Sequence, residues 1–359
     1  MPRRGAKSVR PGRIRRTVSK VRHRSALSRR TLLTGALATG ALTMTGNTTA
    51  WSSPTHFDNP LALRRADPHI VRHSDGAYYF TATVPTYDSV VLRRSATLQG
   101  LATAEEHILW RRHDSGEMSR HIWAPELHHV DGRWYVYFAA GSSEDIQSIR
   151  MYVLENSHPD PLAGTWVERG RISTPWDTFA LDATTFEHRG VRYLSWAQRE
   201  PGVETNSNLY LAPMDDPWTL GDQPVRLSMP THDWETRGFR VNEGPAALAR
   251  HGKVFLTFSA SATDSNYCLG LLTASADADL LDQASWEKNP EPVFATNTGT
   301  GQYGPGHNSF TATEDGADVL VYHARPYDAE VGDPNRHTRL QTFEWKHDGS
   351  PDFGVPVPD

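Results

Sequence analysis

Three acidic side chains stand in short apolar segments, where carboxylates are unusual. Asp67 lies in ADPHI, Asp182 in ALDATTF and Glu243 in NEGPAAL. Carboxylates are seldom buried unless they are paired or functional. Hydrolysis of a glycosidic bond uses one ionised carboxylate to activate water and one protonated carboxylic acid to assist the leaving oxygen. A third acid nearby raises the pKa of its neighbour by like-charge repulsion, so three converging acids would suffice for this chemistry.

Each acid also has a structural interpretation. Asp67 precedes Pro68 and would suit a turn, since Asp side chains bond their own backbone there. Asp182 would make local hydrogen bonds to the main chain. Glu243 would be a surface acid at a strand end, although its apolar flanks argue against that. The functional interpretation therefore depends on the three acids occurring as a set.

The set belongs to a pattern that occurs five times along the chain. Each unit has one polar residue in an apolar segment, then a two-residue turn and an aromatic strand. The five polar residues are Asp67, Glu126, Asp182, Glu243 and His307. They lie about 60 positions apart, and a fixed period of this kind indicates a repeat architecture. We therefore predict five strands that bring one polar residue each to a common place.

The elements that position these residues are predicted to be β-strands. Short β-branched and aromatic runs, separated by Gly, Pro, Asp and Asn, dominate the sequence after residue 57. We predict an all-β, five-bladed β-propeller with the active site at its central axis; a β-sandwich is the alternative. In the last unit we expect one strand over 339–346 and a fourth strand from residues just before Asp67, which would close the ring.

The first 50 residues differ from the rest. Residues 1–30 contain twelve Lys and Arg residues and no acid, and Ser28-Arg29-Arg30 leads into a Gly, Ala, Thr and Leu stretch. This predicts a twin-arginine export signal over 1–50 and a secreted catalytic domain over 57–359. A membrane span or a nucleic-acid-binding arm is the alternative for this segment. The remaining chain has 25 basic and 42 acidic residues, a poor match for nucleic acid. The single Cys268 excludes an internal disulfide, and we expect it to be buried and inert.

The five motifs ADPHI, IWAPELH, ALDATTF, NEGPAAL and GPGHNSF resemble glycoside hydrolase family 43 in type, order and spacing. The family comprises five-bladed propeller enzymes that include α-L-arabinofuranosidases, β-xylosidases and endo-arabinanases. The resemblance implies an inverting mechanism that needs no cofactor for its chemistry. It implies that Asp67 is the general base, Glu243 the general acid, and Asp182 the residue that raises the pKa of the acid.

The resemblance also suggests further site residues. His307 would stand beside a hydrated axial cation, commonly calcium, although a structural histidine is the alternative. We expect Glu126 to be a buried hydrogen-bonding residue, and the 17 His residues show no zinc-type cluster. The predicted substrate-binding residues are His69, Trp123, Trp176, Phe179 and Arg325. Trp123 is equally suited to the core, and Arg325 to a structural salt bridge.

The favoured substrate is an arabinose-containing oligo- or polysaccharide, from which terminal α-L-arabinofuranosyl groups would be released. β-Xylosidase or endo-arabinanase activity is the alternative within the same fold. A non-catalytic sugar-binding propeller would lack one of the three carboxylates, and a protein-binding propeller would have apolar or basic axial residues. We expect a monomer that binds neither nucleic acid nor membrane.

Overall fold

The computed structural model of the chain describes residues 56–359, so the predicted export signal at 1–50 lies outside the described residues. Within this range the regular secondary structure is almost entirely β-strand, and the chain folds as a five-bladed propeller, which confirms the predicted fold class. Its helices are short 3-10 turns at Gln99–Ala102, Ile146–Ser148, Asp233–Glu235 and Gln283–Ser285. No helix among the described residues is long and apolar enough to cross a membrane.

Each blade is an antiparallel sheet whose first strand lies at the axis. The first blade comprises β1 to β4, at Ala66–Arg72, Tyr78–Thr83, Ser89–Ser95 and Glu106–Arg111. The second comprises β5 to β8, at Arg120–Val130, Arg133–Gly141, Arg150–Asn156 and Val167–Arg171. The third comprises β9 to β13, at Ala180–His188, Val191–Gln198, Asn208–Asp216, Thr219–Leu220 and Val225–Ser228. The fourth comprises β14 to β17, at Asn242–Arg250, Lys253–Ala260, Cys268–Ser275 and Glu287–Lys288.

The fifth blade differs from the prediction. Its sheet comprises β18 to β20, at Tyr303–Ala312, Asp318–Arg325 and His337–Thr342. The single strand expected at 339–346 is wrong, because Phe343 separates β20 from β21 (Glu344–Trp345), which pairs instead with β22 (Pro351–Asp352). The ring closes where predicted, but through one bridge between Ala62 and Thr338 in place of a full strand.

Hydrophobic side chains fill the space between neighbouring blades. Five clusters of buried residues occur in the described part of the chain, one for each junction between blades. At the closing junction, Ile70 and Phe80 of the first blade pack with Val319 and Val321 of the fifth. The aromatic strands seen in the sequence thus form the walls that hold the inner strands around the axis. Cys268 is buried and free, as expected, and burial raises the pKa of its thiol to about 12.

Every inner strand contains a β-bulge at the same level, where two residues oppose one residue of the next strand. The paired residues that flank the bulges are Ala66 and His69, Trp123 and Glu126, Leu181 and Thr184, Glu243 and Ala246, and Gly306 and Ser309. The first bulged residue has a positive φ, namely 53° at Asp67, 45° at Ala124, 58° at Asp182, 53° at Gly244 and 43° at His307. Such backbone strain concentrates at functional sites.

The bulges correct the sequence alignment of the five units. Glu126 and Glu243 do not occupy the position of Asp67 and Asp182; Ala124 and Gly244 do. Glu243 lies one residue before its bulge, whereas Glu126 lies after its bulge at the level of His69. The polar residues of the sequence pattern do lie near the axis, but the pattern did not show their positions along it. A bulge inserts an extra residue and so shifts the alternation of side chains along the strand.

Candidate active site

Asp67 is buried and surrounded by hydrogen-bond donors. Nη1 of Arg336 lies 2.9 Å from its Oδ1, and the Thr83 hydroxyl donates to Oδ2 at 2.7 Å. The backbone N–H of Asp67 donates to Nδ1 of His323 at 3.1 Å. Burial would raise the pKa of Asp67, but Arg336, two histidines and Thr83 together lower it well below its usual range. Asp67 is therefore ionised at neutral pH, as a general base requires.

The pKa of Glu243 is shifted in the opposite direction. Its Oε1 accepts a hydrogen bond of 2.8 Å from the hydroxyl of Tyr267. Burial raises the pKa of Glu243 to about 7, with a further increase from the charge of Asp67 and opposing contributions from Tyr267 and Arg336. Two acids near one cavity thus have pKa values pushed in opposite directions, which is the pattern of an acid and base pair.

Asp182 is connected to Glu243 through the bulge of the fourth blade. Its Oδ2 accepts a hydrogen bond of 3.0 Å from the backbone N–H of Gly244, the residue that follows Glu243. Burial and the charges of Glu243 and Asp67 raise the pKa of Asp182, against the lowering effect of the Gly244 amide. The chain geometry thereby fixes Asp182 against the backbone that presents Glu243.

His307 lies between the two aspartates. Its Nδ1 is 3.4 Å from Oδ1 of Asp67 and 3.9 Å from Oδ2 of Asp182. Among the described residues, His307 belongs to no group of three ligand side chains close enough to share an ion. Because calcium prefers oxygen ligands, only a cation that keeps most of its water would fit here. The hydrated axial cation stays a prediction.

The acids face a cavity of about 410 Å³ at the beginning of the inner strands. Asp67, Asp182, Glu243, His307 and Arg336 line its polar wall. Its other walls include two of the predicted substrate-binding residues, Trp123 and Phe179, together with Tyr87, Ile146, Phe239 and Val331. Aromatic side chains beside a few convergent polar groups are typical of a small-molecule site.

A second cavity of about 660 Å³ adjoins the first. Glu243, Phe179 and Phe239 line both cavities. The second cavity also has several polar lining residues, namely Gln147, Arg199, Glu204, Asn206 and Ser207. The proposed acid therefore stands at the junction of two spaces, where a bond that joins a sugar to its leaving group would lie.

Comparison with known proteins agrees with this geometry. The model of the glycosyl hydrolases family 43 matches residues 57–351. The chain belongs to glycoside hydrolase family 43. As a member of this family with similar arabinofuranosidases, the protein is a glycosidase.

Named relatives of this family 43 enzyme are similar over most of the chain. An extracellular exo-alpha-(1->5)-L-arabinofuranosidase of Streptomyces avermitilis is 59% identical over 91% of this chain and 70% of the relative. A protein of the same name from Streptomyces chartreusis is 60% identical over 86% of this chain and 94% of the relative. The crystal structure of an alpha-L-arabinofuranosidase from Lactobacillus brevis has a TM-score of 0.82 at 53% identity, and covers 84% of this chain and 97% of that chain.

Three predicted substrate-binding residues do not line the 410 Å³ cavity that the three acids face. His69 lies beyond the bulge, where it lines a different cavity at the other end of the inner strands. Trp176 packs on Tyr210 in the cluster between the second and third blades. Arg325 is almost fully buried and donates to the backbone oxygen of Asp333 at 2.6 Å. Arg325 thus supports the loop that carries Arg336 and does not line the cavity.

Arg336, Tyr267 and Phe239 are among the site residues that the sequence analysis missed. Arg336 lies in the segment DPNRH, Tyr267 begins YCLGLL, and Phe239 is in RGFRVN. An Arg in a loop and a Tyr before an apolar strand are too common to single out, so no local signal marks the first two. The position of Phe239 just before the NEGPAAL motif was the one available indication.

Proposed function

We propose that the chain is a secreted, exo-acting α-L-arabinofuranosidase that removes terminal arabinofuranosyl groups from arabinan or arabino-oligosaccharides with inversion. The observation that carries the proposal is the pair of opposed pKa shifts, with Asp67 lowered and Glu243 raised to about 7, around one axial cavity. The names of the similar Streptomyces proteins support the sugar and the exo action.

In this proposal Asp67 is the base. Its carboxylate takes the proton of a water molecule that attacks the anomeric carbon, and Arg336 and Thr83 keep it ionised until then. The hydrogen bonds from Arg336 and Thr83 also fix the direction of the carboxylate, so that the water is activated on one face of the sugar. Attack by water itself, without a covalent sugar–enzyme intermediate, inverts the anomeric centre.

Glu243 is the acid. It donates its proton to the glycosidic oxygen as the bond to the leaving group breaks. Burial keeps this proton on Glu243 near neutral pH, and Tyr267 holds the carboxyl in place. The terminal sugar would occupy the 410 Å³ cavity, and the leaving group would extend into the 660 Å³ cavity beyond Glu243.

We further propose export through the twin-arginine signal at 1–50 and action as a monomer on extracellular carbohydrate. The relatives named extracellular support secretion. Export can be tested by expression of the chain with Arg29 and Arg30 replaced by Lys, which should retain the protein inside the cell. Sedimentation of the secreted protein should give the mass of one 40.1 kDa chain less that of the removed signal. Secretion of the double variant at the normal level would refute this route.

The sugar is tested by initial rates on 4-nitrophenyl α-L-arabinofuranoside and β-D-xylopyranoside, together with α-1,5-linked arabino-oligosaccharides. We expect cleavage of the arabinosides and release of single arabinose units. Release of longer fragments first would indicate endo action, and cleavage of the xyloside alone would refute the sugar assignment. Proton NMR of the first product should show the inverted anomer.

Two substrates with different leaving groups distinguish the role of Glu243 from that of Asp67. Glu243→Gln should lower kcat/KM on the disaccharide by about 10²–10⁴-fold, the usual contribution of a general acid. Its effect on the nitrophenyl substrate should be much smaller, because nitrophenolate departs without a proton. Asp67→Asn should reduce the rates on both substrates. An equal loss on both substrates in Glu243→Gln would refute its role as the acid.

A further inference from the structure

A group of three ligand side chains lies on the axis beyond the catalytic bulges. His69 on β1 and Glu126 and His128 on β5 place one nitrogen or oxygen each within 4.8 Å of one another. Glu126 and His128 are two residues apart on a regular part of β5, so their side chains emerge on the same face. The spacing of the histidines along the sequence did not indicate this group, because the fold brings His69 to Glu126 and His128 from a different blade.

The distances fit a small divalent ion. Nε2 of His128 lies 2.8 Å from Oε2 of Glu126, and Nε2 of His69 lies 3.8 Å from the same oxygen. Nitrogen and oxygen ligands bind zinc at about 2.0–2.2 Å, which separates ligand atoms in a tetrahedron by about 3.3 Å. The observed separations bracket that value, so small side-chain movements would complete three coordination positions.

His69 lacks the hydrogen bonds that a buried imidazole normally makes. Its side chain is 13% exposed, its Nδ1 is buried without a hydrogen-bond partner, and its Nε2 is too far from Glu126 for a hydrogen bond. Buried polar groups are almost always satisfied. A ligand between His69, Glu126 and His128 would bind Nε2 of His69, the nitrogen that faces Glu126 but makes no hydrogen bond to it.

The carboxylate of the group is buried without a permanent cation beside it. Glu126 is 7% exposed, and among the described residues its ion-pair contacts are to His69 and His128. Burial of a carboxylate charge is costly without a partner. A divalent cation between the three side chains would compensate that charge.

We propose that His69, Glu126 and His128 form a binding site for a zinc ion that joins the inner strands of the first and second blades. Two imidazoles and one carboxylate are the ligand set of many zinc sites, with water in the fourth position. The cavity of about 360 Å³ that His69 and His128 line offers that water a place. Calcium is disfavoured here because it prefers oxygen ligands.

Zinc binding would replace the hydrogen bond between Nε2 of His128 and Oε2 of Glu126. The ion would lie beyond the bulges, next to the cavity that His69 and His128 line, and would be no part of the hydrolytic chemistry. The inference does not depend on the proposed activity, because its readouts are metal content and thermal stability.

The test uses untagged protein that has been stripped of metal with EDTA and passed through a gel-filtration column. We expect one zinc ion per chain after incubation with zinc sulfate and a second gel filtration, and a higher Tm that calcium chloride does not reproduce. Glu126→Gln and His128→Gln should lose both effects. His129→Gln is the matched control, because His129 lines the same cavity outside the ligand group.

Retention of one zinc ion by Glu126→Gln and His128→Gln, or no zinc in the wild type, would overturn the proposal. Should these variants fail to fold, X-ray absorption of the zinc-loaded wild type decides. Two imidazole ligands support the site, and fewer than two refute it.

Discussion

The hydroxyl of Tyr267 donates a 2.8 Å hydrogen bond to Oε1 of Glu243. The ring of Tyr267 also stacks on His323, which accepts the backbone N–H of Asp67. One buried tyrosine therefore contacts the proposed acid and, through one imidazole, the backbone of the proposed base. The two carboxylates come from different blades, and this contact links them on the side away from the cavity.

The kcat/KM of the wild-type enzyme should decrease as the pH rises above neutral. A general acid works only while it is protonated, so kcat/KM should fall as pH rises through the pKa of Glu243, about 7 in the free enzyme. The measurement is kcat/KM on arabinobiose from pH 4 to pH 9. A rate that stays constant up to pH 9 would contradict the assignment of Glu243.

Removal of the Tyr267 hydroxyl should shift this decrease in kcat/KM to higher pH. The hydrogen bond stabilises the ionised form of Glu243, so Tyr267→Phe should raise the pKa of the acid by about 1 unit. The alkaline limb of kcat/KM should shift to higher pH by the same amount. Tyr322→Phe is the control, since the Tyr322 hydroxyl bonds Gln341 in the interface between blades. A purely structural tyrosine would lower the rate without moving the limb.

Loss of Arg336 should shift both limbs of the pH profile to higher pH, because Arg336 lowers the pKa of Asp67 and also that of Glu243. Arg336 lowers the pKa of Asp67, so Arg336→Met should raise that pKa by about 1–3 units. A base works only while it is ionised, and the acid limb should therefore move to higher pH, with a lower rate at the optimum. Arg189→Met, whose partner Asp277 is an exposed surface acid, should leave the profile unchanged. An unchanged acid limb in Arg336→Met would refute the role of Arg336.

Gly244 should be intolerant of a side chain for two reasons that can be separated. Its φ is 53°, and an added Cβ would lie 3.1 Å from Nδ1 of His307. Gly252, in the turn of the same hairpin, has a φ of 72° and open space around it. Gly244→Ala and Gly252→Ala should each lose about 1–2 kcal/mol of unfolding free energy in urea. Only Gly244→Ala should also lose activity, by tenfold or more, and equal activities would contradict the proposed contact with His307.

Phe239 should recognise the leaving group. It is 45% exposed and lines both cavities beside Glu243. Phe239→Ala should lower kcat/KM on arabinotriose by about three- to tenfold, in keeping with the loss of one aromatic contact. The nitrophenyl arabinoside places an aryl group in the second cavity and should be affected differently. Equal changes on both substrates would indicate a general loss of structure.

The sequence predicted the architecture because the signals are local. Aromatic strands of period two, Gly turns such as His251-Gly252, and a recurrence about every 60 residues are each visible without any distant contact. The exception lay at the end of the ring, where β20 stops at Thr342 and Asn59 completes the edge through hydrogen bonds to Leu340. At this edge the side chain of Asn59 makes the hydrogen bonds that a neighbouring strand would make, and a single side chain has no alternating sequence pattern.

The sequence by itself determined a five-bladed all-β ring and identified Asp67, Asp182 and Glu243 as the acids near its axis. Only the tertiary structure shows where each acid lies along the axis and which side chains contact it. It placed Gly244, not Glu243, at the position of Asp67, brought Arg336 and Tyr267 to the acids, and gathered His69, Glu126 and His128 into one group. The reason is physical: side-chain periodicity is a local property of each strand, whereas contacts between blades depend on bulges and loop paths that join residues far apart in the chain.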